Sequence, residues 1–317
     1  MPHNEQIGTP KRLYNSRMTS TIQSPNRLER AKADALLLVV AFIWGVAFVA
    51  QRVAALNMGV YAFNGLRFLL GALVLLPFSR LNRPGATRLS NRDRWGIALV
   101  GLLLLAGASF QQLGLHFTSA SNAGFITGLY VVFIPLILAV GWRQRMRWAV
   151  WIAALSAALG LFLLSTGGQL RLAPGDALVL LSAAIWACHV IWIGRLVGRI
   201  EAMHIAIGQS LVCGGLSLAL ALLSGGAVFP QAAAAWWALA YTGVLSVGVG
   251  YTAQAMGQRL APPADAAIIL SFEAVFAALG GWLLLGERLS AIQMLGCGLM
   301  LAGMLLAQIR NQGVATP

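Results

Sequence analysis

A few polar side chains stranded in apolar sequence carry the chemistry open to this chain: Glu273, His189, Arg67, Tyr130, Gln111 and Gln254, together with Trp44 and Trp186. Glu273 shares a helical stripe with Ala266, Leu270, Ala277 and Gly281, a small-residue face suited to packing on protein rather than lipid. A carboxylate at the centre of a bilayer costs about 2.5–3.5 kcal/mol on insertion scales, and loss of water disfavours the charged form of any carboxylate. Glu273 therefore suits proton coupling or the holding of a substrate ammonium; a fixed hydrogen bond securing its own span is the structural alternative. His189 follows Trp186 by three residues and lies on the same helix face. Imidazole changes charge near physiological pH, which suits proton coupling, as against a lone histidine bonded to a neighbouring helix. Arg67, after Asn64 and Gly65, stands a few residues into an apolar run. It is placed to attract a substrate carboxylate, to pair with a buried acid, or to snorkel to the nearer interface. Trp44 and Trp186 offer flat faces for a planar or cationic substrate, and equally the bulk to pack helices.

The elements that position these residues come in two copies. The stretch 107–126, GASFQQLGLHFTSASNAGFI, returns diverged at 250–269 as GYTAQAMGQRLAPPADAAII. Gly107, Gln111 and Gly114 meet Gly250, Gln254 and Gly257, in each copy a glutamine with a glycine a turn away on either side. The three positions share one helix face, where small residues admit another backbone and the amide must find a partner. Earlier, the segment from Asp34 to Trp44 aligns with that from Asp176 to Trp186. The offset is 142 residues for the tryptophans and 143 for the glutamines, so drift is too small for chance likeness of apolar sequence. Between the copies Trp44 matches Trp186 and Gln111 matches Gln254, whereas Arg67 meets Gln209, Ala47 meets His189 and Tyr130 meets Glu273. A two-fold scaffold holding an asymmetric ligand must break its symmetry near that ligand. Arg67, Tyr130, His189 and Glu273 are then expected to set polarity and specificity, with the glutamines as shared hydrogen-bonding groups and drift between copies as the alternative.

With 59% hydrophobic residues, 10% charged and a mean hydropathy of +0.77 over 317 residues, the chain is a polytopic membrane protein by composition. The net charge of +13 would suggest nucleic acid in a soluble chain, but here the basic residues punctuate apolar runs, which excludes that partner. Ten runs are long enough to cross a bilayer: 33–55, 61–78, 95–116, 122–141, 148–166, 175–196, 203–223, 236–258, 264–285 and 291–309. Two tight hairpins turn at 118–121 and 261–263. Eighteen of the 22 Lys and Arg residues then fall on one side; Arg52, Arg171 and Arg288 fall on the other and Arg67 within a span. Both termini are expected in the cytoplasm. Residues 1–32 read as a disordered cytoplasmic tail, with Met18 a second candidate start, 33–166 and 174–310 as the two five-helix repeats, and 311–317 as a short tail. An odd number of spans per copy inverts the second copy in the membrane, the architecture of carriers that alternate access.

Lesser features have plain readings. Asp34 and Asp176 are expected to cap their helices, Ser290 and Gln293 to form a capping box, and Gly124 and Gly128 to be a close-packing pair. Gly248, Gly250 and Ala253 imitate a dinucleotide fingerprint, but within an apolar helix rather than after a strand, and are rejected as one. Cys188, Cys213 and Cys297, each inside an apolar run, read as free packing thiols. No phosphate-binding loop or metal cluster is spaced in the sequence, and no cofactor is expected.

The two five-span halves, Trp44 and Trp186 in their opening spans, the segment TSASNAGFI at 118–126, and the run SFEAVFAAL at 271–279 closing in LGERL at 285–289 resemble the EamA type of the drug/metabolite transporter superfamily. The resemblance covers nearly all of 33–309. It implies an all-α integral membrane protein of ten helices and a secondary carrier of the inner membrane. Such carriers most often export amino acids or related metabolites through a central cavity. Many relatives carry proline after the glutamate; this chain has Ala274, which removes that cause of a helix break beside Glu273. The site expected is Trp44, Arg67, Gln111, Tyr130, Trp186 and Gln254 for substrate, with Glu273 and His189 for protons. The expected partners are a small-molecule substrate and the bilayer, and a homodimer is compatible with the pattern. A membrane enzyme is the rival from another class, without a recognisable triad spacing, and a passive channel is the third reading.

Overall fold

Where water is absent, every backbone polar group must be satisfied within the protein, and a single segment achieves this only as a helix. The computed structural model describes residues 27–81, 89–142, 148–166, 173–225, 228–261 and 263–306, and among these the secondary structure is entirely helical. In chain order the helices are α1 (Arg27–Asn57), α2 (Val60–Leu81), α3 (Asn91–Gly114), α4 (Ala120–Gly128), α5 (Tyr130–Trp142), α6 (Trp148–Thr166) and α7 (Pro174–Leu196). They continue with α8 (Ala202–Leu223), α9 (Val228–Ala234) and α10 (Trp236–Ala240), a π-helical stretch over Tyr241–Gly250, then α11 (Tyr251–Gln258), α12 (Pro263–Ser271), α13 (Glu273–Leu285) and α14 (Ala291–Leu306). Seven helical stretches are long and apolar enough to cross a membrane, two of them made of paired short helices over Ala120–Gly141 and Asp265–Leu285. The chain is a multi-pass membrane protein.

Several local expectations change. Helix α1 begins at Arg27, inside the stretch read as a tail, so Asp34 lies mid-helix, where it accepts from Arg30 at 3.2 Å rather than capping. Asp176 stands in the first turn of α7 behind Pro174; the N-cap is Ala173, without a side-chain bond, and Asp176 instead accepts from the Thr118 hydroxyl. The competing principle is tertiary: a carboxylate with a partner on another element, or one turn away, leaves the cap position to others. The Ser290–Gln293 capping box forms in both directions. Gly248, Gly250 and Ala253 lie in the continuous rod from the π stretch into α11. Cys188, Cys213 and Cys297 are free, the last two buried. Residues 1–26, Arg83, Arg88, Arg143, Arg145, Arg147, Arg171 and 307–317, with their expected places, lie outside the described residues.

The helices pack as exchanged partners. α2 lies against α8 and α6 against α14; α7 lies along α3, and α1 along the π stretch and α11. Glycines set the distance. A side chain added at Gly107 would strike the Trp186 ring, and one at Gly250 would strike the Trp44 ring. Likewise Gly114 is covered by Val179, and Gly257 by Leu37. Polar ties close the two ends of the bundle. At one end Arg30 bridges Asp34 and Asp265, the latter at 2.6 Å, and Arg199 meets Asp93 at 3.2 Å. At the other end, after Gly286 turns the chain in the left-handed region (φ 67°), the Glu287 carboxylate accepts from the backbone N–H groups of Ala120 and Ser121 and from the Ser121 hydroxyl. A carboxylate from just beyond α13 thus caps α4, where the helix dipole favours negative charge.

At Gly114 the nearest atoms to an added Cβ include the Gly175 carbonyl oxygen at 2.7 Å, whereas at Gly257 they are side-chain atoms of Leu37. Backbone yields less than a leucine tip. Gly114→Val is expected to cost roughly 1–3 kcal/mol and Gly257→Ala distinctly less, as read by thermal melting of the detergent-solubilised protein.

Candidate functional site

Two interrupted helices build the site. α4 gives way to α5 at Leu129, and α12 to α13 at Phe272. At each joint the ladder tightens locally to i→i+3 bonds: Val132 N–H donates to Leu129 C=O at 2.8 Å and Val275 N–H to Phe272 C=O at 3.0 Å. The residue after each joint is Tyr130 in one case and Glu273 in the other. The break beside Glu273 therefore forms with Ala274 in place of proline. Gly45 of α1 lies close behind it: an added Cβ there would stand 2.7 Å from the Glu273 carbonyl oxygen and 3.0 Å from the Ala277 nitrogen.

The joints open onto an internal cavity of about 50 Å³ lined by Trp44, Arg67, Gln111, Tyr130, Trp186, His189, Gln254 and Glu273. All eight residues singled out in the sequence thus face one space. Ala47, Phe48, Gln51, Thr127, Val190, Ser246 and Tyr251 complete the lining.

Arg67 is 3% exposed, which excludes snorkelling. Its guanidinium lies over Phe63 and Phe68 at 4.8 and 4.9 Å, and it makes no ion pair among the described residues. Its Nε has no acceptor there, and neither side-chain atom of the adjacent Asn64 is partnered. Glu273 is buried, with the Tyr130 side chain beside it; Glu273 Oε1 and Tyr130 Oη have no well-formed hydrogen bond among the described residues. Gln111 donates to the Thr127 hydroxyl at 3.0 Å, while Gln254 Oε1 is open. His189, fully buried, bonds through Nε2 to Gln209 Oε1 at 2.8 Å.

Tyr251 is the residue that the sequence comparison passed over. Its ring touches Trp44 (centroids 5.0 Å), His189 (5.9 Å), Phe68 (6.0 Å) and Trp186 (6.4 Å), and so forms the aromatic hub of the cavity. The signal was present: Tyr251 aligns with Ala108, a break in the repeat of the same kind as Arg67 against Gln209. Gln51, Thr127 and Ser246 carry the same mark, standing against Ile193, Leu270 and Leu103 in the other copy.

The two tryptophans differ in their bonding. In the π stretch the N–H of residue i reaches back to C=O i−5, but Tyr251 N–H donates to Val247 C=O, four residues back. The change of register passes over the Ser246 carbonyl, and the Trp44 indole N–H donates to it at 3.0 Å. α3, the counterpart of the π stretch, is an unbroken α-helix. The Trp186 indole N–H finds no acceptor among the described residues.

A family model of EamA-like transporters matches residues 31–166 and again 173–308. Over 283 residues the chain is 30% identical to an uncharacterized transporter of Archaeoglobus fulgidus, covering 89% of this chain and 88% of that one. It is 29% identical over 280 residues to the threonine/homoserine exporter RhtA of Escherichia coli, covering 84% and 88%. To the uncharacterized inner membrane transporter YedA of the same organism it is 25% identical over 285 residues, covering 86% and 89%. A solved crystal structure shares the fold, with TM-score 0.66 at 20% identity over 88% of this chain and 98% of the other.

Replacing either tryptophan by phenylalanine shrinks a ring, but only at position 44 does it also leave a buried carbonyl without a donor. Trp44→Phe is expected to destabilise by about 1–3 kcal/mol more than Trp186→Phe, measured as the difference between their thermal unfolding curves in one detergent.

Proposed function

The chain belongs to the EamA-like transporter family, within the drug/metabolite transporter superfamily, and from that premise we propose a secondary carrier that exports small amino-acid-like metabolites across the inner membrane by alternating access. The architecture proposed is ten membrane spans in two inverted halves, 33–166 and 174–310, with both termini cytoplasmic. In its favour stand the two family matches on one chain and the exchanged packing of α2 with α8 and α6 with α14. The reciprocal cover of Gly107 by Trp186 and of Gly250 by Trp44 adds to them. The bias of Lys and Arg supports the orientation.

The observation that carries the substrate reading is the cavity itself. It combines a buried arginine having no acid partner among the described residues with a buried carboxylate at a helix break. Neither charge is comfortable alone in a low dielectric, and a zwitterion completes both: its carboxylate on Arg67, its ammonium on Glu273. Trp44, Gln111, Tyr130, Trp186 and Gln254 enclose the ligand between them. The name of the RhtA relative, a threonine/homoserine exporter, points the same way.

Proton coupling follows from the same electrostatics. When the ammonium leaves, Glu273 is left as an uncompensated buried anion unless it takes a proton, so proton and substrate occupy the carboxylate in turn. His189, held by Gln209, lies beside the same space as a second candidate for the proton. Exclusive occupancy gives exchange: a proton moving in accompanies substrate moving out, and an acidic exterior accelerates efflux. A membrane enzyme or a passive channel would show no saturable counterflow.

In proteoliposomes, saturable counterflow is expected with a zwitterionic amino acid among a panel of amino acids, amines, organic acids and nucleosides. An acidic exterior should raise efflux in the wild type, and Glu273→Gln should abolish that response and weaken counterflow at equal pH as well; thermal melting of the solubilised variant separates lost chemistry from lost folding. A wild type indifferent to the gradient would remove the proton from the mechanism.

A further inference from the structure

The repeat places Trp44 and Trp186 at equivalent positions, yet only one of their indole N–H groups is used by the protein. Trp44 is tied to the carbonyl that the π-helical register abandons. Trp186 faces α3, whose regular ladder leaves it no such carbonyl, and its N–H is without a partner among the described residues although the side chain is nine-tenths buried. One turn on, His189 is in the complementary condition. Its Nε2 lies 2.8 Å from the Gln209 side-chain oxygen; with the amide turned this way Nε2 is the donor and Nδ1 a bare acceptor. Nδ1 likewise has no partner among the described residues, and His189 is fully buried. The two rings meet edge to face with centroids 5.5 Å apart, and both residues line the cavity.

An unpaired donor beside an unpaired acceptor, both shut away from bulk water, is incomplete in the way that one ligand group can complete. Carboxylates only accept, and ammonium groups only donate; a hydroxyl does both. We infer that Trp186 Nε1–H and His189 Nδ1 form a hydroxyl subsite, in which a substrate hydroxyl accepts from the indole and donates to the imidazole. This rests on the reading of the cavity as a carrier's amino-acid site and narrows the substrate to hydroxylated amino acids. Gln209 is the positioning residue: it stands where the first half has Arg67, and its carbonyl oxygen selects the tautomer that leaves Nδ1 free. Symmetry breaking between the halves thus yields two anchors, a cation from α2 for a carboxylate and a neutral donor–acceptor pair from α7 for a hydroxyl.

The test compares isosteres that exchange hydroxyl for methyl: threonine against valine, and homoserine against norvaline, in counterflow with the wild-type protein. A site built for the hydroxyl leaves its own groups unpaired when the methyl analogue binds, so the specificity ratio is expected to favour the hydroxylated member by roughly tenfold or more. In Trp186→Phe the ratio should fall toward one, and in Gln209→Leu it should fall and become sensitive to pH as the tautomer is released. The wild-type ratio alone is decisive if a variant does not fold. Equal exchange of threonine and valine, as expected were a resident water to serve the pair, overturns the subsite and leaves the carrier reading intact. Absence of saturable exchange for every amino acid overturns the carrier reading and the subsite with it.

Discussion

A polar group in a bilayer has no water to fall back on, so any carbonyl or amide that leaves its helix must find a partner inside the protein. The interior of this chain is organised around that constraint. The π-helical stretch abandons the Ser246 carbonyl, and a tryptophan from α1 must reach it. The breaks at Leu129 and Phe272 tighten the ladder locally at mid-course, on helices that pack against α1 and α7. The starts of helices are served in the same way, as when Glu287 crosses from the end of α13 to the free N–H groups of α4. Among the groups left without a partner in the described residues are Arg67 Nε, Trp186 Nε1, His189 Nδ1 and Glu273 Oε1, all at one cavity.

Small residues make this possible by bringing backbones close. Gly45 lets α1 lie directly behind the Glu273 backbone, and Gly107 and Gly250 receive the faces of Trp186 and Trp44. Because these contacts occur as reciprocal pairs, each half supplies the wall against which the other half's cavity residues are set. The polar ties sit at opposite ends, Arg30 with Asp265 at one and Glu287 with Ser121 at the other. Partly exposed pairs of this kind are individually weak.

Asymmetry is the functional content laid over this scaffold. An arginine in α2 faces a glutamine in α8 in the alignment, a tyrosine after one helix break faces a glutamate after the other, and a histidine in α7 has alanine as its counterpart. Each difference introduces a group that the repeat does not require for packing. Together they turn a symmetric void into one that holds an arginine, a glutamate and a histidine on different sides of the repeat axis.

Much of this was legible in the residues themselves. Apolar runs marked a multi-pass membrane protein, the 142–143 residue offset marked the repeat, and the cost of burying charge singled out Glu273 and Arg67. The sequence alone therefore determined the class of protein and picked out eight side chains that share the cavity, because hydropathy and periodicity are local properties that the bilayer enforces. Tertiary structure alone decided how those side chains are used. Asp34 and Asp176 looked like caps until Arg30 and Thr118 were seen to claim them; the break beside Glu273 formed without its proline; and Tyr251 became a hub only when four rings from three other helices met it. Above all, Trp44 and Trp186 are indistinguishable in the repeat, and only the register of the helix opposite each one determines whether its N–H is consumed or free. Hydrogen bonding is a property of pairs, and a sequence specifies one member of a pair at a time.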